Sequence, residues 1–108
     1  MTRHIALDFD GTLVSQDEEG GPTHIGAPVH HVLAAVNQAL SDGAEVSIFT
    51  SRVDPDDPDA EAARAAIEAW TYEHLGIVLP VTAIKHRRFT EFWDDKAVPV
   101  QRTGKRQR

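Results

Sequence analysis

Apolar residues in this chain fall into short runs and helical stripes. Arg3 to Phe9 carries the unbroken run Ile5-Ala6-Leu7 and closes in Asp8-Phe9-Asp10-Gly11-Thr12. A run without alternation suits a strand buried on both faces, as in a parallel sheet. Residues 15–27 then turn polar, with Asp17-Glu18-Glu19, Gly20-Gly21-Pro22 and Gly26, and read as a loop. Pro28 is placed to open a helix at its first position. Val29, Val32, Leu33, Val36 and Leu40 form one stripe of that helix, and Gly43 ends it. Ala44 to Phe49 is a second strand, closing in Thr50-Ser51-Arg52.

After the proline- and aspartate-rich loop 54–59, a second helix is expected, with Asp57 as its cap and Pro58 at its first position. Asp59 and Glu61 suit the positive end of its dipole. Ala63, Ala66, Ile67, Trp70 and Leu75 make its apolar side, and Gly76 stops it. Ile77 to Ile84 reads as a third strand interrupted by Pro80. Phe89 to Trp93 reads as a fourth, ending in Asp94-Asp95, and Ala97 to Val100 as a short fifth with Pro99 marking an edge.

Strands alternating with helices predict an α/β fold with a parallel sheet and right-handed crossovers. Ligands in such sheets bind beyond the carboxyl ends of the strands. On this reading Asp8 and Asp10, Thr50 with Ser51 and Arg52, Lys85, and Asp94 with Asp95 all arrive at one edge.

Composition narrows the class. The chain has 108 residues, 41% hydrophobic and 26% charged. That is one ordinary globular domain, a core at 1–101 with a flap at about 12–27, followed by a basic tail at 102–108. The formal net charge is -6, so overall charge does not indicate nucleic acid as a partner. The last seven residues hold four of the eleven bases and none of the seventeen acids, and a short basic end of this kind reads either as a solvated terminus or as a contact for an anionic partner. Without cysteine there are no disulfides, zinc–thiolate sites or cysteine nucleophiles. No apolar run approaches a membrane span and no signal-peptide pattern is present, so a cytoplasmic location without membrane contact is expected.

Four carboxylates at one rim repel one another, and a hard divalent cation relieves that repulsion. A lysine and hydroxyls added to such a rim suit a phosphoryl dianion. One carboxylate can attack phosphorus, and another two residues on can serve as acid and base.

Asp8-Phe9-Asp10-Gly11-Thr12-Leu13-Val14 after a first strand resembles motif I of the haloacid dehalogenase superfamily. Thr50 closing the second strand is similar to its motif II, Lys85 to the motif III lysine, and Asp94-Asp95 to motif IV, over about residues 3–98. The resemblance implies a three-layer Rossmann-like domain and a Mg²⁺-dependent phosphatase. It implies Asp8 as the nucleophile forming an aspartyl-phosphate and Asp10 as general acid and base, with its carbonyl on the metal. It implies Thr50, Ser51, Arg52 and Lys85 around the phosphate, and Asp8, Asp10, Asp94 and Asp95 around Mg²⁺. Whether Asp94 or Asp95 ligates directly, and whether Lys85 or Lys96 is the motif III lysine, stays open. Arg52 either meets substrate or pairs with nearby acids. The second motif I aspartate, absent from dehalogenases of the superfamily, points to phosphate chemistry.

The chain has no insertion long enough for a cap domain, so the substrate is a phosphorylated small molecule or macromolecular end, covered by its own bulk or by a second copy of the chain acting as a lid. Two other classes fit parts of the pattern: a phosphoryl-accepting receiver, whose acceptor usually follows a third strand, and a non-catalytic interaction protein on the same scaffold. The acids at 54–61 miss the spacing of a calcium loop, since Pro58 and Asp59 occupy positions that need a ligand and a glycine. The six histidines form no zinc motif.

Overall fold

The computed structural model describes residues 2–17 and 20–94. Asp95, Lys96, the expected fifth strand and the basic tail lie outside the described residues.

The elements are β1 (His4–Asp8), α1 (His30–Ser41), β2 (Glu45–Phe49), α2 (Ala60–Leu75), β3 (Val81–Thr82) and β4 (Glu91–Trp93). They form a Rossmann-like α/β domain whose four strands are all parallel, in the order β3-β2-β1-β4. Ile5 pairs with Val46 and Leu7 with Ile48 across β1 and β2, and Leu7 pairs with Trp93 across β1 and β4.

Register and alternation sort the side chains. One sheet face carries Ile5, Leu7, Val46, Ile48 and Val81. These join Val36 and Ala39 of α1 and Ala63, Ile67 and Trp70 of α2 in a single buried cluster. Both helices therefore cover this face. The other face carries His4, Ala6, Ser47, Phe49 and Phe92. Among the described residues it is covered by the 84–89 loop, whose Phe89 is buried against His4, Phe49 and Phe92.

Three boundaries differ from the sequence pattern. Pro28 does not open α1; it bridges Val14 in antiparallel fashion, and the Val29 N–H donates to the Leu13 carbonyl at 2.8 Å. The helix begins at His30, because the preceding backbone is committed to closing the base of the 16–26 flap. At α2 the capping position is Asp59. Asp57 instead accepts from the Asp59 N–H at 2.8 Å, making an Asx turn that delivers the chain to the helix. The third strand shrinks to Val81–Thr82. Ile77 and Val78 face solvent, and Leu79 is pinned by its N–H donating to the hydroxyl of fully buried Thr71 at 3.1 Å. Pro80, which lacks an N–H, stands just before the strand.

Candidate active site

The sheet order determines what can meet. β1 is flanked by β2 and by β4, so the residues that end these three strands share one edge. Asp8 ends β1 opposite Phe49, and Thr50 is the next residue of β2. On the other side Leu7 pairs with Trp93, which sets Asp94 level with Asp8. The order in which strands are added reverses between β1 and β4, since β2 and β3 lie on one side of β1 and β4 on the other, and this is the crevice where open α/β sheets bind ligands. A cleft of about 490 Å³ opens there, lined by Gly11, Thr12, Val29, Val32, Trp93 and Asp94 among others.

Asp8 is half-buried, and the Thr12 hydroxyl donates to its Oδ2 at 3.2 Å. The turn that returns Thr12 to Asp8 is tight: the Thr12, Leu13 and Val14 N–H groups all point at the Phe9 carbonyl, at 3.2, 3.0 and 3.1 Å. Gly11 in this turn has φ +83°, which a side chain at that position would resist. Thr12 has no role in the site from sequence alone; its place four residues after Asp8, just past Gly11, is the signal that marks it.

Thr50 is buried at the end of β2. Its Oγ1 accepts from the Arg52 N–H at 3.2 Å, opening a short 3₁₀ turn over Ser51–Val53. The hydroxyl hydrogen has no acceptor among the described residues, which leaves a donor at the edge beside Asp8. Ser51 is exposed.

Arg52 is the hub of the edge. Its Nε and Nη2 form a fork on Asp10, each bond 2.8 Å. Its Nη1 reaches the Pro22 carbonyl at 3.1 Å and the His24 carbonyl at 2.6 Å, and its guanidinium carbon lies 5.9 Å from the Phe9 ring centre. One side chain thus ties Asp10 to the flap. The flap is fastened at its base as well, by Ser15 N–H to the Ala27 carbonyl at 2.7 Å and Ala27 N–H to Ser15 Oγ at 3.0 Å. Gly26 passes so close to the Ser15 backbone that a methyl group there would overlap its carbonyl oxygen. His24 and Asp17 pair across the flap at 2.7 Å. Of the two sequence alternatives for Arg52, the structure has it paired with an acid.

Lys85 stands apart from this group. It is exposed, and its Nζ sits 5.0 Å from the centre of the Phe92 ring. Its strand, β3, is one strand further from β1 than β2 is. Asp94 is exposed at the end of β4. Among the described residues no three His, Asp or Glu side chains are gathered as a metal site; Asp95 of the expected ligand set lies outside them. The donors at this edge are oxygens only, from Asp8 and Asp94, which is the chemistry that Mg²⁺ prefers.

No family model and no curated protein matches the chain. Among solved structures, it resembles a conserved protein encoded by a locus of Bacteroides thetaiotaomicron. That likeness has a TM-score of 0.62 at 17% identity, and covers 91% of this chain and 79% of the other. At that identity the likeness is one of fold: a single α/β domain around a parallel sheet. No described helix is long and apolar enough to cross a membrane.

Proposed function

We propose that the protein is a phosphomonoester hydrolase of the haloacid dehalogenase type, working through an aspartyl-phosphate on Asp8. The reading rests on one juxtaposition: a half-buried Asp8 carboxylate bonded by Thr12, beside a buried Thr50 hydroxyl whose proton has no acceptor among the described residues. A nucleophile and a phosphoryl-oxygen donor at adjacent strand ends are what in-line phosphoryl transfer requires.

In the first step an Asp8 oxygen bonds to phosphorus, the bond to the leaving oxygen breaks, and Asp10 protonates that oxygen. In the second, Asp10 takes a proton from water as the water oxygen attacks phosphorus, releasing phosphate and regenerating Asp8. Thr50 donates to the phosphoryl oxygens throughout. The fork on Asp10 has a role in this sequence. Arg52 holds Asp10 by both oxygens, and a phosphate dianion attracts the same guanidinium, so substrate binding and the placement of Asp10 are linked through one side chain. Asp8, Asp94 and Asp95, with the backbone carbonyl of Asp10, are the residues that would hold Mg²⁺, whose contribution would be to offset the negative charge of carboxylates and phosphate. Lys85 serves the phosphate by turning from Phe92 towards the edge, unless Lys96 does so.

The test is Mg²⁺-dependent release of p-nitrophenol from its phosphate ester, with EDTA as control. Wild type is expected to turn over, and Asp8→Asn to lose at least about a thousandfold in kcat while keeping its circular dichroism. Wild-type rates in Asp8→Asn overturn the nucleophile; a long-lived phosphorylated protein without turnover overturns the hydrolase in favour of a receiver.

A further inference from the structure

Six lysines and arginines lie among the described residues, and they divide sharply. Arg3 pairs with Glu91, Arg52 with Asp10 and Arg64 with Glu61. Lys85, Arg87 and Arg88 have no carboxylate partner among the described residues, although the chain holds seventeen acids and a net charge of -6. All three are exposed, and with His86 they form an unbroken basic run on the loop that joins β3 to β4. An open depression of about 390 Å³ is lined by His86, Arg87 and Arg88.

The loop is built, not loose. Ile84 N–H donates to Thr82 Oγ1 at 3.0 Å where it leaves the strand edge, and Phe89 N–H closes its turn on the His86 carbonyl at 3.3 Å. Phe89 is buried, with ring contacts to His4 at 4.7 Å, His86 at 5.5 Å and Phe92 at 5.8 Å. Thr90 N–H then bonds the His4 carbonyl at 2.8 Å. The loop therefore starts at the carboxyl edge of the sheet and ends at the opposite end of β1. It descends the face opposite α1 and α2 by the length of that strand, about 13 Å at roughly 3.3 Å per residue. Beside it stand two exposed apolar side chains, Phe92 at 43% and Ile84 at 55% exposure.

We propose that this loop is a track for single-stranded nucleic acid, whose terminal phosphomonoester is the substrate at the Asp8 edge; the placement of the terminal phosphate rests on the phosphatase reading above. Exposed cations without a carboxylate partner among the described residues match a backbone with one charge per unit, and the neighbouring Phe92 ring, once Lys85 turns to a phosphate, gives bases a stacking surface. An acidic or phosphorylated peptide would use the cations but has less call on Phe92.

The probe is a 5′-phosphorylated, 3′-fluorescent oligothymidylate of about 12 nucleotides, followed by anisotropy with the full chain. Arg87→Gln/Arg88→Gln is expected to weaken binding about tenfold near 0.1 M salt. It should also flatten the log–log salt dependence by roughly 1.4, at about 0.7 per lost phosphate contact. The ratio of kcat/KM for the oligonucleotide to that for p-nitrophenyl phosphate should fall about tenfold in the same variant. Unchanged oligonucleotide binding in the variant overturns the track, as does equal affinity for a polyglutamate peptide of matched charge. Hydrolysis of the aryl phosphate without oligonucleotide binding also overturns the track while leaving the phosphatase standing. Arginine-dependent binding with no hydrolysis of any phosphomonoester supports the track and overturns the phosphatase.

Discussion

Removing the Arg52 side chain is the most informative single perturbation, because four hydrogen bonds converge on it. Two run to Asp10 at 2.8 Å and two to the flap carbonyls of Pro22 and His24 at 3.1 and 2.6 Å. The side chains of Arg52 and Asp10 are 18% and 26% exposed, so the fork is neither a fully screened surface pair nor a dry one. Bonds to charged groups contribute about 1.5–3 kcal/mol when buried, and exposed pairs about 0–1 kcal/mol. An intermediate figure of about 1–2 kcal/mol for the fork is reasonable, with about 1 kcal/mol more for the flap carbonyls, which water can re-solvate. Arg52→Ala should therefore lose about 2–3 kcal/mol, or about 1–2 M in urea midpoint at a denaturant slope of about 1.5 kcal/mol per M. Arg52→Lys keeps the charge but not the fork, and should recover less than half of the loss. A double-mutant cycle with Asp10→Asn isolates the pair and should give a coupling of about 1–2 kcal/mol. Additive single-mutant effects, together with unchanged protease cutting in residues 16–26, would refute the idea that Arg52 fastens Asp10 to the flap.

Thr50→Val removes an acceptor for the Arg52 N–H and a buried donor; about 1 kcal/mol of stability should go in urea titration, and kcat/KM for an aryl phosphate should fall about tenfold or more if the donor serves the phosphoryl oxygens. Gly26→Ala forces the flap away from the Ser15 carbonyl and should cost about 1–3 kcal/mol, read as a lower melting temperature with faster proteolysis of the flap. Arg3 holds Glu91 at 2.6 Å, and this hydrogen bond keeps the Glu91 carboxyl below its ordinary value of 4.5. A lowered folded-state value means that the pair stabilises the protein above about pH 4.5, and that this contribution is lost as pH falls through the lower folded value. Glu91→Gln should therefore narrow the stability gap to wild type as the buffer is taken from neutral to below pH 4; a gap that is constant with pH would refute the pairing.

The parts of the fold that the sequence exposed are those where one physical demand dominates. β1 reads cleanly because both its faces are buried. The misplaced boundaries come from competing demands at one residue. Pro28 suits a helix start, yet the flap needs its backbone for the bridge to Val14, and the flap wins. Ile77 and Val78 look like strand, yet the segment is fixed by Thr71 gripping Leu79, and the two apolar side chains are left in solvent. No hydrophobic pattern carries either fact. Arg52 shows the same limit for the site: its position after β2 is visible in the sequence, but a long side chain has several acids within reach, and only the flap carbonyls on its far side select Asp10.

Lys85 makes the connection between topology and chemistry. Motifs that follow in chain order need not be neighbours in space. In the order β3-β2-β1-β4 the first, second and fourth arrive on adjacent strands, whereas the third arrives on the outer one. A residue there needs reach, and lysine has the longest flexible stem of any cation. The same placement gives Lys85 a second set of neighbours, the Phe92 ring and the basic run that follows it. An ammonium between the proposed catalytic edge and the proposed anion track can serve either, and the two roles separate experimentally. Lys85→Met should reduce turnover of an aryl phosphate if the ammonium works at the edge, and should reduce only oligonucleotide affinity if it works on the track. A loss confined to binding would assign the motif III role to Lys96, and a Lys96→Met variant would then carry the loss of turnover.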